Sequence, residues 1–144
     1  MTQTPRKHTS RLSLALFAAF GTAALAVPVV GATVGGIDGA VFTLTNNIAG
    51  NEVVVFDRFA DGSLGASRRY STRGTGTGGG LGNQGALALS DSGRWLLSVN
   101  PGSNSVSVFL AFGNYLYRTD TEASGGNTPV SVTIEDDVVY VLNA

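Results

Sequence analysis

Few residues in this chain could do chemistry, and they are unevenly placed. Its 144 residues include no Cys, one His, and nine Lys or Arg against ten Asp or Glu. The single Lys is Lys7 and the single His is His8, and both precede a long apolar run. Beyond residue 32 the charged side chains are six Arg and ten carboxylates. That region therefore supplies no imidazole base, no thiolate, no Schiff-base amine and no zinc site built on His or Cys. A Ser-His-Asp triad is excluded within it. Base chemistry there must be carboxylate chemistry, with Arg or amide donors to stabilise an oxyanion. Glu135-Asp136-Asp137 lacks the alternating ligand spacing of a calcium loop and reads as a solvated turn. No metal or cofactor is expected. The near balance of charge excludes a strongly basic nucleic-acid binder and an acidic disordered tail.

Two groups of residues invite a ligand. Gly74-Thr-Gly76-Thr-Gly78-Gly79 contains G-x-G-x-x-G. A strand pattern rather than a helix follows it, and no Lys does, so neither a dinucleotide fingerprint nor a Walker A loop fits. It reads as a flexible loop with backbone N–H groups available to an anion. Arg73, Asn83, Gln84, Asn100 and Asn104 flank this loop or lie in turns that share its side of the fold. Arg73 suits a carboxylate, and the amides suit polar oxygens. The Asn residues equally suit turns held by side-chain-to-backbone hydrogen bonds. Trp95 beside Leu96 and Leu97 reads as a packing residue.

The elements that must position these residues form a repeat. Phe42–Asn46, Leu96–Asn100 and Val139–Asn143 end alike, and Asn51-Glu-Val-Val-Val-Phe56 parallels Asn104-Ser-Val-Ser-Val-Phe109. Asn100 and Asn143 are 43 residues apart, Asn46 and Asn100 54, with the excess in a Gly-rich insertion, Gly74 to Gly85. Period-2 alternation and β-branched content predict strands at 41–46, 52–57, 66–72, 86–90, 95–100, 105–112, 115–121, 130–135 and 138–143. Asp91-Ser-Gly93, Asn100-Pro-Gly102 and Ser124-Gly-Gly126 supply turns. Gly39 aligns with Gly93 as a turn residue before the first strand, and Asp38 and Asp91 suit turn roles. Four short strands per repeat predict an all-β fold: a β-propeller of four-stranded antiparallel blades, incomplete at about two and a half blades. Missing C-terminal blades would close the ring, so the chain reads as the N-terminal part of a longer protein. Alternating strand directions put the Gly74–Gly85 connection and the 46–51 and 100–104 connections on one face.

The N-terminus reads as an address. Arg6, Lys7, His8 and Arg11 precede Leu12–Val30, which carries no charge, and Val30-Gly31-Ala32 offers small residues to a signal peptidase. Residues 1–32 are expected to be a helical secretory signal peptide cleaved after Ala32, with an uncleaved anchor as the alternative. Residues 33–144 then form the propeller part, secreted or extracytoplasmic, with no stable membrane insertion. Cleavage removes Arg6, Lys7 and Arg11 and no acid, leaving a net charge of −4.

The runs Leu81-Gly-Asn-Gln-Gly-Ala-Leu-Ala-Leu-Ser-Asp-Ser-Gly-Arg-Trp-Leu-Leu-Ser-Val-Asn-Pro-Gly-Ser-Asn-Ser-Val-Ser-Val-Phe109 and Pro129-Val-Ser-Val-Thr-Ile-Glu-Asp-Asp-Val-Val-Tyr-Val-Leu-Asn-Ala144 resemble the lactonase-type seven-bladed propellers. That family includes 6-phosphogluconolactonase-like and carboxymuconate cyclase-like proteins. The resemblance covers residues 39–144. It implies a seven-bladed ring with a ligand site at the central channel. It implies hydrolysis or isomerisation of a small carboxylated lactone, in a piece inactive alone. A non-enzymatic extracellular binding module is the alternative, since propellers host many functions.

Overall fold

The computed structural model describes residues 36–82 and 85–144. The expected signal segment, its cleavage site, and the candidates Asn83 and Gln84 lie outside the described residues. Among the described residues there are nine strands and no helix, hence no helix long and apolar enough to cross a membrane. Every strand pairing is antiparallel.

The strands form three sheets. Sheet 1 holds β1 (Ile37–Leu44), β2 (Glu52–Phe59) and β3 (Leu64–Ser71); sheet 2 holds β4 (Leu87–Leu89), β5 (Trp95–Asn100), β6 (Ser105–Phe112) and β7 (Tyr115–Ala123); sheet 3 holds β8 (Pro129–Glu135) and β9 (Val138–Asn143). In each sheet the spatial order is the chain order, as short turns between alternating strands dictate. The bounds of β5, β6 and β9 match the expected 95–100, 105–112 and 138–143.

Alternation along each strand sorts the side chains, and the sorting explains the stacking. On one face of sheet 2, Leu96, Phe109, Ala111 and Leu116 pack with Val53 and Val55 and with half-buried Phe42 and Leu44 of sheet 1. On its other face Leu97, Val99 and Val106 pack with Val132, Ile134 and Val141 of sheet 3. Trp95 packs against this second cluster, so it serves packing between sheets. Sheet 2 thus lies between the other two, which is why β5 is buried on both faces from Leu96 to Asn100. Each fully buried Leu, Val or Phe contributes about 1.5–3 kcal/mol.

The pairing register refines the repeat. Leu44 faces Val53 in sheet 1 as Val99 faces Val106 in sheet 2. One step on, Thr45 donates its N–H to the Glu52 carbonyl, whereas Asn100 pairs with Ser105. Thr45, not Asn46, is therefore the counterpart of Asn100. The connection 45–51 is longer than 101–104, and the extra length displaces Asn46 into the loop at a φ of 49°. Gly39 also departs from expectation. It lies inside β1, next to a register shift, with the Arg58 guanidinium packed over it (3.3 Å from where a β-carbon would sit). Asp38 is likewise a strand residue, paired with Arg58 at 2.7 Å. Asp136, at a φ of 50°, closes the β8–β9 turn, so Glu135–Asp137 form the exposed turn expected of them.

Candidate functional site

The connections expected on one face do meet there. The segment 72–79 passes between the loop 45–51 and the turn 101–104, and its backbone is consumed on the way. Gly74 N–H donates to Thr72 Oγ1 (3.1 Å), Thr75 N–H to Ser103 Oγ (3.0 Å) and Thr77 N–H to Asn46 Oδ1 (3.0 Å). Gly76 N–H donates to the Asn47 carbonyl (2.8 Å) and Gly78 N–H to the Asn46 carbonyl (2.8 Å). Gly102 N–H returns a bond to the Thr75 carbonyl (2.9 Å). Asn46 Nδ2 adds bonds to Thr77 Oγ1 (3.0 Å) and the Gly79 carbonyl (2.6 Å). The expected flexible, anion-facing loop is therefore corrected. The N–H groups from 74 to 78 all bond within the protein, and the segment is a pinned spacer. Two of its glycines are steric: a β-carbon at Gly76 would overlap the Asn46 carbonyl, and one at Gly74 would overlap the Asn100 side chain.

The candidate rim residues separate on the same geometry. Asn100 is fully buried and leaves the rim, which corrects its assignment as a ligand contact. Its Oδ1 accepts from Asn51 Nδ2 (3.0 Å), and its Nδ2 donates to Ser107 Oγ (2.8 Å) and Ser105 Oγ (3.2 Å). The cause is its place in the alternation: it shares a face with Leu96 and Ser98, and that face packs on sheet 1. Asn104 is exposed, at a φ of 52°. Its Oδ1 accepts from Thr128 N–H (2.7 Å), and its Nδ2 donates to Asn127 Oδ1 (3.3 Å), so it organises the β7–β8 connection. Arg73 sits at a φ of 59°, exposed, and its guanidinium meets no carboxylate among the described residues. The structure therefore brings Asn100 into the sheet 1–sheet 2 interface and leaves Arg73 and Asn104 on the surface.

Two polar groups escaped sequence reasoning. Asn51 is fully buried and donates to the Val99 carbonyl and to Asn100 Oδ1, both at 3.0 Å. Its own Oδ1 accepts from Thr45 Oγ1 (3.2 Å) and Glu52 N–H (3.1 Å). Ser107 Oγ and Thr121 Oγ1 extend the layer by donating to the Thr72 carbonyl (2.8 and 2.9 Å). Asn51 matches Asn104 in the repeat, yet Asn51 is buried and Asn104 exposed, so no local signal separates them. The second group is Asp57 with Arg68 and Asn114. Asp57 is 5% exposed and accepts from Arg68 Nη1 (2.7 Å) and Asn114 Nδ2 (2.6 Å). The hydrogen bond from Arg68, then that from Asn114, holds the Asp57 carboxyl below its ordinary value, against the opposing effect of burial. The same pairing raises Arg68. The Arg68 guanidinium also lies over the Tyr115 ring, 4.6 Å from its centroid. A general base is most effective with a pKa near the working pH. Asp57 is displaced the other way and shut in, so the cluster is a strut tying sheet 1 to the β6–β7 turn.

A groove of about 450 Å³ lies on the β1 side of the stack. Phe42, Thr43 and Leu44 of β1 form one wall, Leu81 and Leu87 the other, with Asn46 at the loop end. Among the described residues no ionisable side chain lines it. No family model, curated protein or solved structure matches this chain.

Proposed function

We propose that the three sheets are successive blades of a lactonase-type β-propeller, completed by further blades, and that this part of the chain builds and lines the channel. The observation that carries the reading is the repeated register of the stack. Phe42 and Leu44 of sheet 1 pack onto sheet 2 from the positions where Leu97 and Val99 of sheet 2 pack onto sheet 3. A structure in which each sheet offers the same face to the next is what a ring of blades requires. The signal-like N-terminus supports export of such a ring.

Within this reading, binding is better supported here than catalysis. The polar groups at the loop face hold one another, and the one buried carboxylate is locked by Arg68 and Asn114. Arg73 is the group best placed for a carboxylated ligand, and action on a small carboxylated lactone is assigned to the completed ring. The test incubates the full 144-residue chain with a small carboxylated lactone and follows acid release at constant pH. The expected result is no rate above buffer. Turnover above buffer, whether or not Arg73→Ala abolishes it, would overturn the assignment of catalysis to other blades.

A further inference from the structure

We propose that Asn104 is a two-position latch on the loop face. Besides its outward position, it turns inward to donate Nδ2 to Asn143 Oδ1, which joins sheet 2 to sheet 3 and releases the Thr128 N–H. The register match of the sheets carries this, independent of any activity of the ring.

The seam between sheets 1 and 2 divides two tasks between two asparagines. Asn46, at a φ of 49°, turns outward, and its Oδ1 accepts the Thr77 N–H of the following connection (3.0 Å). Asn51, whose φ is not positive, turns inward and donates Nδ2 to Asn100 Oδ1 (3.0 Å). The connection 45–51 is long enough to hold both. The shorter connection 101–104 has one asparagine for the two tasks. By register Asn104 holds the place of Asn51: its carbonyl accepts from Ser124 N–H (2.9 Å), as that of Asn51 accepts from Thr72 N–H (3.0 Å). By conformation it performs the task of Asn46: at a φ of 52° its Oδ1 accepts the Thr128 N–H (2.7 Å).

The acceptor for the inward position is already in place. Asn143 ends β9 as Asn100 ends β5, and alternation puts it on the face of Val141, which packs on sheet 2. A β-carbon at Gly126 would overlap the Asn143 side chain, as one at Gly74 would overlap that of Asn100. Ser124 links the two residues, because its N–H donates to the Asn104 carbonyl and its carbonyl accepts from Asn143 Nδ2 (3.4 Å). Asn143 Oδ1 is buried and has no hydrogen-bond partner among the described residues. Leaving a buried acceptor without a donor is unfavourable. In the first seam that donor is Asn51 Nδ2, and Asn104 Nδ2 is its equivalent. In the outward position Asn104 Nδ2 makes a longer bond, 3.3 Å to Asn127 Oδ1.

The outward position is strained as well. Thr128 is β-branched and sits at a φ of 49°, a conformation such residues avoid, and the bond to Asn104 holds it there. One position therefore satisfies Thr128 N–H and leaves Asn143 Oδ1 bare, and the other does the reverse. Turning inward also changes what the loop face offers to solvent: Asn104 withdraws, and the Thr128 N–H and the Asn127 side chain are freed.

The test follows amide hydrogen exchange of the full chain by NMR. Thr128 N–H is bonded to Asn104 in the outward position and free in the inward one, so it exchanges from the latter. Asn143→Ala removes the inward acceptor, and the loss of that one hydrogen bond should slow Thr128 exchange by about five-fold. In the Asn104→Ala background the same substitution should change it by less than about two-fold. A merely structural role for Asn143 gives the opposite sign, faster exchange through a loosened sheet 3. Relaxation dispersion on the unsubstituted chain needs no variant: the Asn104 and Thr128 amides should show microsecond-to-millisecond exchange. Unchanged or faster Thr128 exchange in Asn143→Ala, equal slowing in the Asn104→Ala background, or flat dispersion at both amides would each overturn the proposal. None of these outcomes bears on the packing of the three sheets or on lactone turnover, so failure here is separable from failure of the blade reading.

Discussion

Replacing Asn100 by Ala would separate a buried amide that joins two sheets from a ligand contact at a rim. Three hydrogen bonds vanish: those with Asn51 Nδ2, Ser105 Oγ and Ser107 Oγ. Their partners are not left bare. Asn51 Nδ2 keeps the Val99 carbonyl (3.0 Å), Ser107 Oγ keeps the Thr72 carbonyl (2.8 Å) and Ser105 Oγ keeps Ser103 Oγ (3.0 Å). The loss is therefore about three net hydrogen bonds at roughly 1 kcal/mol each, about 3 kcal/mol in all. Asn51→Ala should cost about as much, because it leaves Asn100 Oδ1 without its donor. The two share one bond, so the double variant should be destabilised by about 1 kcal/mol less than the sum of the singles. Urea unfolding followed by Trp95 fluorescence measures this, Trp95 being the only Trp and half-buried between sheets 2 and 3. With m of about 1–3 kcal/mol/M, each single variant should lower the midpoint by about 1–3 M at unchanged m. A shift for Asn100→Ala worth less than about 0.5 kcal/mol would return this residue to the surface. Strict additivity would refute the bridge between sheets.

Three further outcomes follow from the same geometry. Gly76→Ala should destabilise by more than about 3 kcal/mol, since its β-carbon meets the Asn46 carbonyl, whereas Gly80→Ala, with open space around it, should stay within about 0.5 kcal/mol; urea midpoints check both. Ser98 is fully buried and its Oγ has no hydrogen-bond partner among the described residues, so Ser98→Ala should raise stability by about 1 kcal/mol, read as a higher thermal midpoint. Asp57 is held below its ordinary value near 3.8, so the unfolded chain binds its proton more readily. The stability that Asp57 contributes is present above that ordinary value and is lost as the pH falls through the lowered folded value. Asp57→Asn should accordingly flatten the acid limb of a plot of urea midpoint against pH, and an unchanged limb would count against the ion pair.

Much of the fold was legible because the strands announce themselves locally. The alternation of Val106 and Val108 with Ser107 and Phe109 is the alternation of the two buried faces of sheet 2. Turn residues after Leu89 and Asn100 mark where β4 and β5 end. Gly39 misled because a glycine before a strand has the same local signature as a glycine within one at a bulge. Only the position of Arg58, on the neighbouring strand, distinguishes the two. The candidate site was less legible. Loop topology placed the Gly74–Gly85 connection beside the 46–51 and 100–104 connections, and residues 74–79 of it bond to both. Which amides stay available was not a local property.

By itself, the sequence determined the all-β character of the described residues, the approximate positions of their nine strands, the turns after Leu89 and Asn100, and a region beyond residue 32 without Lys, His or Cys. Each of these rests on composition or on neighbours a few residues apart. The tertiary structure decided that Asn100 is buried while Asn104 is exposed, that the glycine segment is pinned, and that Asp57 is locked by Arg68 and Asn114. Those outcomes rest on pairs such as Asn51 with Asn100 and Asp57 with Asn114, 49 and 57 residues apart. A polar side chain spends its hydrogen bonds on whatever stacking brings within about 3 Å, and stacking is set by whole sheets rather than by the residue's own neighbours.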